Sequence, residues 1–159
     1  MVQYLPLFSC GVWESDPYSF RSSANMGAQA GFNFMDSDYD ALRVKAACNE
    51  AKIYQKFWYG DFYPLTEVKT GNNHILARQL HREDLNAGII YVFRQTDCPY
   101  TGYELLPHAI DSNATYEVTL KRDYSKGTTK KISGSQLMEF QVEMPQKRSA
   151  LVIEYHQVK

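Results

Sequence analysis

The sequence DYDALRVKAACNEAKIYQKFWYGDFYPLT, residues 38–66, contains the point at which the chain changes from helical to β-type sequence. Before Gly60, apolar side chains recur at helical spacing: Val44, Ala47, Ala51, Tyr54 and Trp58. Polar side chains fall off that face: Lys45, Asn49, Lys52 and Lys56. The pattern predicts an amphipathic helix from Asp38 to Tyr59, opened by Ser37 and followed by Gly60.

The residues before this helix predict two short strands with a helix between them. Gln3–Phe8 is a candidate buried strand, and Ala30–Phe34 is a second one. Between them, Ser15 can cap a helix whose first turn holds Asp16 and Pro17, two residue types favoured at a helix start. The first sixty residues are therefore predicted to have the order strand, helix, strand, helix.

The residues after Gly60 are typical of an antiparallel sheet protein. Five β-type runs are separated by turn sequences rich in Gly, Asn, Asp, Ser and Pro: 74–84, 88–95, 115–122, 140–144 and 149–158. This spacing predicts an antiparallel β-sandwich. A one-turn helix is expected within 133–140, ahead of the strand at 140–144.

The two parts together predict an α+β chain whose first part is incomplete. Parallel strands are normally covered on both faces and continued by further strands, so a βαβα segment does not stand comfortably alone. A full α/β barrel takes about 250 residues. Residues 1–60 therefore look like the end of a larger unit.

Composition and charge exclude several classes of function. The formal net charge of −1 does not favour nucleic acid or an acidic membrane as a partner. No apolar run approaches the roughly 18 residues of a membrane span, and the start of the chain lacks the basic region of a signal peptide. Cys10, Cys48 and Cys98 match no zinc spacing and predict free thiols in a reducing, cytoplasmic setting. No metal or cofactor motif is present in the sequence.

Three stretches resemble the C-terminal end of clan-D glycoside hydrolases, and most closely the α-galactosidases (melibiases) of family 36. They are DPYSFRSSANMGAQAGFNF at 16–34, YGDFYPLT at 59–66 and LARQLHREDLNAGIIYVFRQTDCPY at 76–100. The resemblance is most specific at 16–22, at 60–65 and around His81, whereas the later strands match in pattern only. It implies that 1–60 is the C-terminal end of a catalytic (β/α)8 barrel, joined by a GDFY turn at 60–63 to a β-sandwich, 61–159.

The resemblance also implies where the chemistry lies. Retaining glycosidases use two carboxylates about 5–5.5 Å apart, and in this family both catalytic aspartates come from strands upstream of the part matched here. We therefore expect no catalytic residue in this chain and no activity of the chain alone. The sequence WESD at 13–16 is similar to the surroundings of the family's acid/base aspartate, which can also follow a Trp and a Ser. The match, however, aligns Asp16 after the acid/base residue, where it would cap a helix or pair with Arg21. Four residues remain as substrate-proximal candidates in the whole enzyme, whose substrate would be an α-linked galactoside or related oligosaccharide: Trp13, Asp16, Tyr18 and Arg21.

Two further expectations depend on the β-rich part and on the incomplete barrel. An alternative function is a non-catalytic carbohydrate-binding or docking sandwich, suggested by scattered tyrosines: Tyr91, Tyr100, Tyr103, Tyr116, Tyr124 and Tyr155. His81 is expected to be a strand residue that hydrogen-bonds to the backbone. Because unpaired strand edges promote association, the chain is also expected to self-associate.

Overall fold

The computed structural model describes residues 10–23, 28–67 and 69–158, and it begins with two strand–helix units. They are strand β1 (Cys10–Val12), helix α1 (Pro17–Ser23), strand β2 (Ala28–Ala30) and helix α2 (Ala41–Tyr54), which continues into a 3₁₀ turn at Gln55–Phe57. β1 and β2 are parallel, with Val12 opposite Ala30. The order strand, helix, strand, helix agrees with the prediction, although β1 lies after the predicted first strand, Gln3–Phe8.

The remaining strands form antiparallel sheets. They are β3 (Asp61–Pro64), β4 (Ile75–Arg82), β5 (Ala87–Arg94), β6 (Gly102–Leu105), β7 (Thr115–Lys121), β8 (Thr128–Ser133), β9 (Phe140–Glu143) and β10 (Ser149–Val158). Six of them form one sheet in the order β3-β4-β5-β10-β7-β8, and β6 pairs with β9 in a second, two-stranded sheet. The expected one-turn helix is α3 (Gly134–Met138), which begins with a capping box between Ser133 and Gln136.

The two antiparallel sheets enclose one apolar core, as in a β-sandwich. Ile90, Val92 and Ile153 of the large sheet pack with Leu105 and Val142 of the small one. In β9 the buried and exposed residues alternate, as expected of a strand with one face on a core. β5 is buried along its whole length because its other face is covered as well.

The N-terminal strand–helix units cover that other face of the large sheet. Tyr54, Phe57 and Trp58 pack on Ile89 and Val152. The predicted apolar face is confirmed at Ala47, Tyr54 and Trp58, which are buried, whereas Val44 and Ala51 are half-buried. The four polar residues predicted to lie off that face are exposed: Lys45, Asn49, Lys52 and Lys56. The α-helix itself is shorter than the predicted 38–59 and ends at Tyr54. The six-stranded sheet thus lies between the helical units and the small sheet.

Several boundaries differ from the predictions. The expected strand Gln3–Phe8 lies outside the described residues, and the strand expected at Ala30–Phe34 is wrong beyond Ala30 because a turn begins at Phe34. The cap of α1 is Asp16 instead of Ser15: one Asp16 carboxylate oxygen accepts hydrogen bonds from two backbone amides of the first turn, at 3.0 and 3.2 Å. In α2 the cap is Asp40, not Ser37.

The prediction of a GDFY turn at 60–63 is also wrong, because three of its four residues lie in a strand. Asp61, Phe62 and Tyr63 belong to strand β3, with Phe62 opposite Leu80 of β4. Only glycine fits at position 60, because a Cβ there would collide with the carbonyl oxygen of His81.

Cys48 and Cys98 are free thiols. Within the described ranges, no helix combines the length and the apolar character needed to cross a bilayer.

Candidate functional site

A groove lies beside the loops that follow β1 and β2. Because the two strands are parallel, the loop that leaves Val12 and the loop that leaves Ala30 emerge at the same edge. Ligands of parallel α/β units bind at this carboxyl edge of the strands. The groove encloses about 590 Å³, and Trp13, Asp16 and Phe32 contribute to its lining.

The indole of Trp13 lies across two glycines. A Cβ at Gly11 would come within 2.5 Å of Trp13 Cη2, and a Cβ at Gly31 would come within 2.7 Å of Trp13 Nε1. The ring therefore lies against the backbone at Gly11 of β1 and at Gly31, which directly follows β2, while 71% of the residue remains exposed. It forms a flat apolar surface at the mouth of the groove.

Glu14 and Asp16 are engaged in a cluster with Arg148. Arg148 Nη2 donates to Glu14 Oε2 at 2.8 Å and to Ser19 Oγ at 2.9 Å, and Arg148 Nη1 lies 3.5 Å from Asp16 Oδ1. The hydroxyl of Ser19 donates to the same Glu14 oxygen at 2.6 Å. The cluster ties the loop after β1 to the residue that precedes β10.

The electrostatics of Asp16 suit a fixed carboxylate. Burial alone would raise the pKa of Asp16, but hydrogen bonds from Ser19 and the positive charge of Arg148 outweigh it, so the pKa lies below its ordinary value. A general acid needs a raised pKa to hold its proton at neutral pH. Asp16 is therefore ionised at neutral pH, where it caps α1 and approaches the guanidinium of Arg148.

Tyr18 and Arg21 point from α1 toward the large sheet. The ring of Tyr18 meets that of Phe93 edge-on at 5.8 Å, and the guanidinium of Arg148 lies 5.3 Å from the centre of the Tyr18 ring. Burial raises the pKa of Tyr18. Arg21 is only 1% exposed and binds both carboxylate oxygens of Glu50, at 2.7 and 2.8 Å.

The structure therefore divides the four sequence candidates into two pairs. Trp13 and Asp16 line the groove, whereas Tyr18 and Arg21 do not and instead contact Phe93 and Glu50. The suggested pairing of Asp16 with Arg21 is wrong, since Arg21 pairs with Glu50 and Asp16 approaches Arg148.

Two of these partners, Glu50 and Arg148, were not singled out from the sequence. Glu50 carried a signal, because it lies three residues after Ala47 and four before Tyr54 and so falls on the buried face of α2. Arg148 carried none, since it is 132 residues from Asp16 and is brought there by the fold.

The tyrosines behind the alternative function also fall into groups. Tyr91, Tyr116 and Tyr155 are core residues. Tyr124 donates its hydroxyl to the carbonyl of Ser15 at 2.8 Å. The two that remain, Tyr100 and Tyr103, are exposed and line a separate groove of about 620 Å³.

The histidines show no metal-binding arrangement in the part of the chain that the structure describes, where no group of three or more His, Cys, Asp or Glu side chains could hold an ion. His81 lies in β4 as expected, but its bonding partner differs from the expectation. Its Nδ1 is 2.9 Å from the hydroxyl of Tyr155 and so bonds to a side chain. Burial lowers the pKa of His81, so the ring is neutral at pH 7.

Comparisons with known proteins agree with the resemblance seen in the sequence. No protein-family model matches the chain, and no curated protein matches it in sequence. Solved structures do match, with 14% identity and a TM-score of 0.66 for an α-galactosidase from Lactobacillus brevis, over 89% of this chain. The GH36 α-galactosidase AgaA from Geobacillus stearothermophilus gives 16% identity and a TM-score of 0.60 over 87% of this chain. A variant of that enzyme in complex with stachyose gives 17% and 0.62 over 88%.

These matches concern the fold, and they cover only part of each relative. The chain spans 20% of the L. brevis enzyme and 19% of the G. stearothermophilus one. The match to the L. brevis enzyme covers 89% of this chain. In fold, the chain is similar to a C-terminal region of the family 36 α-galactosidases.

Proposed function

We propose that this chain is the C-terminal part of an α-galactosidase-like retaining glycoside hydrolase and is not catalytic by itself. In this proposal residues 1–60 supply the last units of a (β/α)8 barrel, and residues 61–159 supply its accessory β-sandwich. The observation that supports it is the fold similarity, which covers 88–89% of this chain but only 19–20% of each relative. A βαβ unit joined directly to a sandwich is otherwise incomplete.

The groove at the ends of β1 and β2 is assigned to the mouth of the substrate site of the whole enzyme. Trp13 offers its open ring face to the C–H face of a sugar, because the two glycines hold the other face. Asp16 and Glu14 fix the loop through Arg148. Tyr18 and Arg21 hold α1 on the sheet and so position the groove from below.

Two of the carboxylates that line the groove, those of Glu14 and Asp16, support the absence of activity in the chain alone. A retaining enzyme needs a nucleophile and a separate proton donor. Asp16 has a lowered pKa, which does not suit a proton donor, and Glu14 is engaged by hydrogen bonds from both Ser19 and Arg148. The reactive pair belongs to barrel strands outside this chain. The free thiols of Cys48 and Cys98 fit a cytoplasmic setting for the enzyme.

Hydrolysis of an aryl α-galactoside by the purified chain tests the proposal. We expect no release of the aryl alcohol above the rate of the buffer. Turnover that Asp16→Asn abolishes, and that the remote exposed variant Lys131→Ala in β8 leaves unchanged, would show that the chain is a complete enzyme and would refute the proposal. The DNA directly upstream of the codon for Met1 supplies a second test, with an in-frame barrel that carries two active-site aspartates as the expected finding.

A further inference from the structure

The second groove lies on the sandwich, between the loop that joins β3 to β4 and the loop that leads into β6. Tyr100 is 66% exposed and Tyr103 is 38% exposed, and both line it. Leu65 and Ile75 form apolar parts of its lining and pack on the core between the two sheets. The helical units cover the opposite face of the large sheet, so this groove is separate from the one beside Trp13.

The wall that carries Tyr100 is anchored to the fold. The carbonyl of Cys98 accepts a hydrogen bond from the buried guanidinium of Arg94 at 2.9 Å. The thiol of Cys98 lies 3.6 Å from the carbonyl oxygen of Tyr100, and the carbonyl of Thr101 accepts from the amide of Met144 at 2.7 Å. The exposed Tyr100 therefore lies on a backbone whose carbonyl groups at Cys98, Tyr100 and Thr101 are each in contact with a donor.

The opposite wall is held in the same manner. The amide of Ala77 donates to Thr66 Oγ1 at 3.0 Å, and the amide of Leu65 donates to the carbonyl of Ala77 at 3.0 Å. The amide of His74 donates to the side-chain oxygen of Gln95 at 3.3 Å. Walls fixed before binding reduce the conformational entropy that a ligand must remove.

The chemistry of the lining suits a polyhydroxylated ligand without net charge. The rings of Tyr100 and Tyr103 provide flat apolar surface and hydroxyl groups. Glu67 and Lys69 lie 3.5 Å apart, are largely exposed, and add one negative and one positive charge at the rim. The volume of about 620 Å³ is within the usual range of small-molecule sites, about 300–1,000 Å³.

We propose that the Tyr100–Tyr103 groove is an accessory binding site for neutral oligosaccharides. The C–H face of a sugar ring lies on an exposed tyrosine, and its hydroxyls bond to Glu67, Lys69 and the phenol groups. A polyanion is disfavoured because the rim charges cancel. The specific choice of an α-galactoside rests on the proposed function, whereas the class of neutral oligosaccharide rests on the groove alone.

Titration of the 159-residue chain with stachyose, followed by calorimetry and by NMR of the tyrosine ring protons, tests the proposal. We expect saturable binding that shifts the resonances of Tyr100 and Tyr103. Tyr100→Ala and Tyr103→Ala should each weaken binding at least about fivefold, and the double variant should abolish it. Tyr59→Ala is the control, because Tyr59 is also an exposed tyrosine and does not line the groove.

Further measurements distinguish failure of this proposed site from failure of the proposed function. Trp13→Ala should leave binding at the tyrosines unchanged, since Trp13 lines the other groove. Tyrosine-dependent binding of maltotetraose in place of stachyose would support the oligosaccharide groove and speak against the α-galactosidase assignment. Binding of neither sugar, equal loss in Tyr59→Ala, or saturation of the same tyrosines by a proline-rich peptide alone would overturn the proposed site.

Discussion

Arg21 and Glu50 form a bidentate ion pair in the interior, with Nε–Oε1 and Nη2–Oε2 distances of 2.7 and 2.8 Å. Arg21 also donates to the carbonyl oxygens of Lys121, Arg122 and Asp123 at 3.0–3.1 Å. One side chain therefore joins α1, α2 and the hairpin between β7 and β8. The N-terminal units are attached to the sheet through this contact as well as through apolar packing.

Arg21→Met is expected to lower the free energy of unfolding by about 3–5 kcal/mol, because it leaves a buried carboxylate and three carbonyls without their donor. Urea denaturation of the chain measures the effect. The control is Lys69→Met, which removes an exposed pair with Glu67 and should leave the unfolding midpoint unchanged. Equal midpoints for Arg21→Met and the parent chain would show that the pair does not hold the units together.

The fold was predictable where the signal is local. The repeat of Ala47, Tyr54 and Trp58 specified the buried face of α2, and the turn sequences between alternating runs specified antiparallel strands. Helix starts were not predictable to the residue, because Ser15 and Asp16 are both good caps in adjacent positions. Only the geometry of the first turn decides which side chain reaches the free amides.

The candidate site was predictable only in part. Trp13 and Asp16 follow a strand and line the groove, as loop residues at this edge are expected to do. Tyr18 and Arg21 are three residues apart on one helix and so share a face, and that face turned out to be covered by the sheet. Their burial depends on β5 and on the hairpin after β7, about 70 to 100 residues away in sequence, and no local pattern reports it.

Acidification is expected to destabilise the chain through His81. Burial lowers the pKa of His81 below the ordinary 6.5, while Asp61 and Glu83 partly offset the shift. The unfolded chain therefore binds the proton more readily than the folded chain, so stability is full above about 6.5 and falls as the pH drops toward the folded pKa. Thermal unfolding between pH 7.5 and pH 5 measures the slope.

The structural cause of this effect can be separated from the titration of other groups. Gln79 Nε2 donates to the hydroxyl of Tyr155 at 2.6 Å, which leaves that hydroxyl to donate to a neutral Nδ1 of His81. His81→Asn should reduce the slope above pH 5, whereas replacement of the exposed His156 by Asn should not. If His81→Asn and the parent chain show the same slope, the loss of stability at low pH comes from groups other than His81.

The glycines beneath Trp13 give a separate prediction. Gly31→Ala should displace the indole, because the new Cβ would need the space of Nε1. We expect a changed indole N–H resonance for Trp13 with an unchanged one for Trp58, which is buried in the apolar cluster on the large sheet. Gly102→Ala is the control, since a Cβ there would meet only the carbonyl of Val142, at 3.3 Å. An unmoved Trp13 resonance in Gly31→Ala would contradict the described stacking.

Self-association of the chain is expected at the N-terminal units. Within the described residues β1 and β2 pair only with each other, and three large apolar side chains near them are exposed: Phe34, Met35 and Leu42. Unpaired strand edges beside apolar surface favour contact between copies. Sedimentation velocity should show a concentration-dependent increase in mass, which Met35→Ser combined with Leu42→Lys reduces and Tyr59→Ser does not. A monomer at all concentrations would mean that this surface is stable in water without a partner.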